Sequence, residues 1–132
     1  MAHPLRKGFE MLKVFLSILI VFMTLSPLEA SEKQVLQAVM KADTTRLSQL
    51  LNDGNNPNAH DADGFTALHY AAINNDSVSI RLLLDAGADP RAKDASGKTP
   101  LDWIKPNSPA YHTPVYWKMN DAIINHWLAQ EN

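Results

Sequence analysis

The chain has 132 residues, 45% of them hydrophobic, and a formal net charge of −2; that hydrophobic share suits one small globular domain and excludes a wholly disordered chain. So small a charge leaves no electrostatic footprint for nucleic acid or an anionic membrane. Cysteine is absent, which excludes disulfides, cysteine-containing zinc sites, a cysteine nucleophile and a lipidated cysteine.

Residues 1–30 read as a secretory signal peptide. Arg6, Lys7 and Lys13 flank the apolar run 14–25, Ser26-Pro27 is expected to break its helix, and Leu28-Glu29-Ala30 ends on a small residue. Cleavage is expected after Ala30, with Leu28 departing from the small residue usual three positions before the cut. The apolar run is shorter than the ~20 residues of a spanning helix, so no stable membrane anchor is expected to remain. Met1 and Met11 are both candidate starts, and either gives the same mature chain. Cleavage removes three cations and two anions, leaving a mature charge of −3.

Residues 31–60 read as two helices with no turn-forming finger before them. Val35, Ala38 and Val39 make the inner stripe of the first, and Leu47, Leu50 and Leu51 that of the second. Lys33, Gln34, Gln37, Lys41, Arg46, Ser48 and Gln49 keep the remaining surface polar, as a terminal unit facing water requires.

Residues 61–93 read as turn, short helix, tight turn, longer helix and loop. Asp63-Gly64 marks the first turn, Thr66 caps the short helix, Asn74-Asn75 makes the second turn, and Gly87 stops the longer helix. Asn75 sits where the turn wants a left-handed residue, which explains the Asn75-Asp76-Ser77 glycosylation-like triplet structurally. Val78 and Ser79 look exchanged relative to the apolar spacing. Leu68, Ile80, Leu83 and Leu84 would fill the space against neighbouring units, because one such unit cannot bury its own apolar face.

Residues 94–132 begin in the same way, with the run from Asp94 to Ile104, and then depart. The second helix is expected over 121–129, with Ile124, Trp127 and Leu128 in the places of Ile80, Leu83 and Leu84. That offset is 44 residues where ~33 would be regular, so 11 residues are inserted, within 105–118. Its prolines predict a non-helical loop, and Tyr111, Tyr116 and Trp117 make it either a cap over the last unit or a contact element.

Sliding the chain against itself by ~33 residues sets Asp61, Gly64, Thr66, Leu68 and Ala71 on Asp94, Gly97, Thr99, Leu101 and Ile104. In the other direction Leu68, Ala71, Ile80, Leu83, Leu84, Gly87 and Pro90 fall on Val35, Ala38, Leu47, Leu50, Leu51, Gly54 and Pro57. With Asp61, Gly64, Thr66, Leu68, His69, Ala71 and Ala72 in order, the chain resembles the ankyrin-repeat family over 32–128. It departs by Ala67 where the family has proline, and by Asn75 and Asp76 where it has glycine and histidine. The resemblance implies an all-α solenoid of about three helix-turn-helix repeats with β-turn fingers, 31–60, 61–93 and 94–132, preceded by the signal peptide.

The resemblance also implies which side meets a partner. Finger tips and short helices usually do, here Ala62, Asp63, Phe65, Tyr70, Ile73 and Asn74, then Ala95, Ser96, Lys98 and Trp103, with Gln37, Met40 and Lys41 from the first unit. His69 would tie the start of its helix to a neighbouring turn, and Gly64, Thr66, Gly97 and Thr99 would be structural. Although His60, Asp61, Asp63 and His69 are metal-ligand types, the repeat accounts for them, so no metal or other cofactor is expected. Nor is catalysis by His69 with Asp102, since nucleophile motif and phosphate loop are both missing. The expected function is that of an exported bacterial, non-enzymatic protein-binding module in the periplasm, monomeric when unbound. Alternatives are an immunity-type inhibitor of a toxin, a stabiliser of a periplasmic enzyme and, remotely, a metal-dependent hydrolase.

Overall fold

The computed structural model describes the backbone of residues 4–130. Met1 and the side chains of residues 4–6, 22–28 and 127 lie outside the described set, and with them the start at Met1 and the parts expected of Leu28 and Trp127. The chain divides into two units, Met1–Ser31 and Glu32–Asn132.

Helix α1 spans Pro4–Met40. Ser26-Pro27 does not break it, contrary to the sequence expectation: proline forfeits one main-chain donor, and the helical path continues through that single loss. Among the described residues no helix is long and apolar enough to cross a membrane. In the first unit Phe9, Leu12, Phe15 and Ile18 are exposed.

In the second unit, α2 spans Thr44–Asn52, α3 Ala67–Ile73 and α4 Ser77–Asp85. A short 3-10 helix covers Pro100–Trp103, and α5 runs over Pro114–Gln130. Each junction is set by local chemistry. Asp43 caps α2 by accepting the Arg46 amide at 3.0 Å, and Asp76 caps α4 by accepting the Ser79 amide at 3.1 Å. The chain reverses between paired helices through left-handed residues, Ala42 at φ 53° and Asn75 at φ 55°. Asparagine tolerates that region and alanine does so less readily.

The core is the row of inner faces expected from the sequence. Val35, Ala38 and Val39 of α1 and Leu47 and Leu50 of α2 are buried with Leu68, Ala71, Ala72, Ile80 and Leu83. Each fully buried leucine or isoleucine contributes about 1.5–3 kcal/mol by leaving water. The small Ala71 and Ala72 let α3 lie close to α4. The apparent exchange of Val78 and Ser79 is real: Val78 is exposed and Ser79 buried. The Ser79 hydroxyl donates to Asp76 Oδ2 at 2.6 Å, which satisfies the buried oxygen.

Residues 94–132 depart from expectation in three ways. Its short helix is one 3-10 turn, and residues 114–118 are the start of α5, not part of a loop. Pro114 permits this because the first helical residue needs no intrahelical amide donor, while the Thr113 hydroxyl accepts the Tyr116 amide at 3.3 Å. The apolar register also differs. Met119 is fully buried and Val115 packs on the core, whereas Ile124 and Leu128 are 46% and 56% exposed. The earlier helix start moves the core-facing positions one to two turns towards the N-terminus, so the insertion is shorter than residue counting implied. Within 105–113, Ala110 is buried and Tyr111 packs against the core.

Candidate functional site

Two fingers precede the short helices, and their aspartates organise them. Asp61 Oδ1 accepts the amides of Asp63 and Phe65, each at 3.0 Å; Asp94 Oδ1 accepts those of Ser96 at 2.8 Å and Lys98 at 3.1 Å. Each aspartate also holds an aromatic side chain nine residues on. The Tyr70 hydroxyl donates to Asp61 Oδ2 at 2.5 Å, and Trp103 Nε1 donates to Asp94 Oδ2 at 2.8 Å. Both ties therefore join a finger to its own short helix, in successive repeats.

The electrostatics follow from those bonds. Burial works against the charge on Asp61, but the Tyr70 hydroxyl and the Phe65 and Asp63 amides outweigh it, and the carboxyl lies below 3.8. For Asp94 the Ser96 hydroxyl acts most strongly; burial opposes it, and the Lys98 and Ser96 amides with the Trp103 indole carry the carboxyl well below 3.8. Tyr70 is pushed up to about 12, chiefly because its hydroxyl donates to Asp61.

Successive fingers are bonded to each other. The Ala95 amide donates to the Asp63 carbonyl at 2.9 Å. Gly64 sits where any Cβ would come within 3.3 Å of Asp94 Cα, and its φ of 77° is left-handed, so glycine serves both the turn and the close approach. His69 completes the join. Its Nδ1 faces the Thr66 amide at 3.1 Å and must accept, so the proton is on Nε2, 2.9 Å from the Lys98 carbonyl oxygen. His69 is completely buried.

In the next repeat Asp102 takes the position of His69, and its Oδ2 accepts the Thr99 amide at 2.8 Å and hydroxyl at 3.0 Å. Both residues are thus held in capping boxes. Of the metal-ligand types near the finger, Asp61 holds Tyr70, His69 bridges two repeats, and His60 Nδ1 lies 3.4 Å from the Asn58 carbonyl. No group of three or more histidines and carboxylates converges among the described residues.

Phe65, Tyr70 and Trp103 come together. Phe65 lies 5.7 Å from Tyr70, 5.5 Å from Trp103 and 5.5 Å from His69 by ring centroids, and Lys98 Nζ stands 4.7 Å over the Trp103 ring. Phe65 is therefore half-buried packing and not a free finger tip. Asp63, Asn74 and Lys98 are exposed. Ile73 is 39% and Met40 55% exposed, and they occupy the same position in successive repeats. Asn74 Nδ2 donates to the Val39 carbonyl at 3.2 Å, pinning the turn after Ile73 to the end of α1.

Tyr111, Tyr116 and Trp117 form a second cluster. Tyr111 lies 4.8 Å from Tyr116, which lies 5.3 Å from Trp117, and His112 packs against all three rings. Tyr111 and Tyr116 pack on the core; Trp117 is 46% exposed.

A repeated finger aspartate, a histidine bridging repeats and a fixed finger-to-finger bond coincide with the result of comparison: the family model for ankyrin repeats (many copies) matches residues 50–103. Over those residues the chain is similar to ankyrin repeats. Ankyrin repeats generally mediate protein–protein interaction and are typically non-enzymatic binding modules. No curated protein matches the chain. The aspartate–aromatic ties of the ankyrin fingers were not among the sequence expectations. Their signal was present, because Asp61 with Tyr70 and Asp94 with Trp103 share one spacing and both aromatics carry a donor.

Proposed function

We propose that the chain is an exported, non-enzymatic binding module of the bacterial periplasm, which captures a partner protein on its finger and short-helix face. The observation that carries this reading is the exposed apolar pair Met40 and Ile73, at one repeat position, with Ile73 one helical turn from Tyr70 on α3. Large apolar groups left in water beside rigid aromatics are the usual makings of a contact surface. The polar Asp63, Asn74 and Lys98 form its rim. Export is supported by the basic flank and apolar run of 1–30, in which Phe9, Leu12 and Phe15 are exposed.

Capture from a periplasmic extract by wild type, Met40→Asp and Ile73→Asp tests the surface. Both positions are exposed, so folding should survive while the captured partner is lost; equal capture by equally stable proteins refutes the proposed face. Intact mass of the periplasmic fraction tests export. A mature chain beginning at Ser31 is expected, and a full-length species confined to the inner membrane contradicts it.

A further inference from the structure

A second candidate site lies away from the fingers, between α4 and α5. One face of α4 presents Ser77, Arg81, Leu84 and Asp85, and the first turns of α5 present Val115 and Lys118 across a cleft of about 360 Å³. That volume falls at the lower end of small-ligand sites, about 300–1,000 Å³. Leu84 and Val115, with Pro114, give the cleft its apolar lining, and Leu84 and Val115 also pack against the core.

Its charges are unequally matched. Lys118 Nζ lies 2.8 Å from Asp85 Oδ1, so these two offset each other. The Arg81 guanidinium has no hydrogen-bond or ion-pair partner among the described residues. An apolar lining with one uncompensated guanidinium matches one chemistry, a monoanion with an apolar tail. Guanidinium favours carboxylate in particular, because its parallel N–H groups fit both oxygens. We propose that the α4–α5 cleft binds a small amphiphilic carboxylate, with Arg81 on the carboxylate and Leu84 and Val115 on the tail. This site is independent of the partner face, and either could fail without the other.

The probe is octanoate, titrated into the full chain below its aggregation concentration and followed by amide chemical shifts. Saturable shifts confined to residues 77–85 and 113–118 are expected. Arg81→Gln should weaken binding roughly tenfold or more, the loss of one charge-assisted contact, and Val115→Trp should fill the cleft and abolish it. Neutral octanamide should bind at least several-fold less tightly than octanoate. Shifts that do not saturate, equal affinity for octanamide, or an Arg81→Gln protein that binds octanoate as wild type does would each overturn the proposal.

Discussion

His69 Nε2 donates to the Lys98 carbonyl at 2.9 Å, so a side chain of one repeat closes the finger of the next. The imidazole also accepts the Thr66 amide through Nδ1 while fully buried. Its removal strands one main-chain donor and one acceptor. His69→Ala should therefore destabilise the chain by about 1–3 kcal/mol, read as a lower chemical-denaturation midpoint. An unchanged midpoint would mean that water replaces the imidazole at no cost.

Phe65 is expected to matter for folding because three rings surround it at 5.5–5.7 Å. Phe65→Ala should cost about 1–2 kcal/mol, less than a fully buried phenylalanine. Thermal melts of Phe65→Ala and Phe65→Leu separate lost ring contacts from lost volume, with leucine recovering part of the loss.

Asp94 links stability to acid. Its folded pKa lies well below the ordinary 3.8, so its contribution is present above about pH 4 and is lost as pH falls through the folded value. Asp61 shifts in the same direction. Asp94→Asn should lower stability at neutral pH and shrink the further fall between pH 4 and pH 2. A denaturation series across that range measures it, and parallel wild-type and mutant profiles would exclude the linkage.

Tyr70 gives the opposite, alkaline dependence. Because its pKa is raised from 10.0 to about 12, its contribution holds below pH 10 and disappears as pH climbs towards 12. Phenolate absorbance of the folded chain should show a component titrating near pH 12 that Tyr70→Phe removes. Trp103, tied to Asp94 through an indole N–H, is the counterpart in the next repeat.

In the segment 105–113 and the start of α5, Ala110 and Met119 are buried and Tyr111 and Val115 pack on the core, which favours a capping role. Deleting 107–115 should lower the thermal midpoint. Retained stability with lost partner capture would instead make the segment a contact element.

What the sequence determined by itself is the repeat and its inner faces. Val35, Leu47, Leu68, Ile80 and Leu83 are buried as their spacing requires, and Thr66, Gly64 and Asn75 do what local backbone chemistry demands of them. These features are legible because they depend on neighbours a few residues away, or on a translation that the chain itself repeats. Tertiary structure decided the rest. The start of α5 at Pro114, the burial of Met119 in place of Ile124 and Leu128, and the withdrawal of Phe65 among three rings were not written in any local period. The space left beside α4 selects which helical face of α5 turns inward. Phe65 meets Trp103 where the Ala95–Asp63 and His69–Lys98 bonds fix one finger against the next.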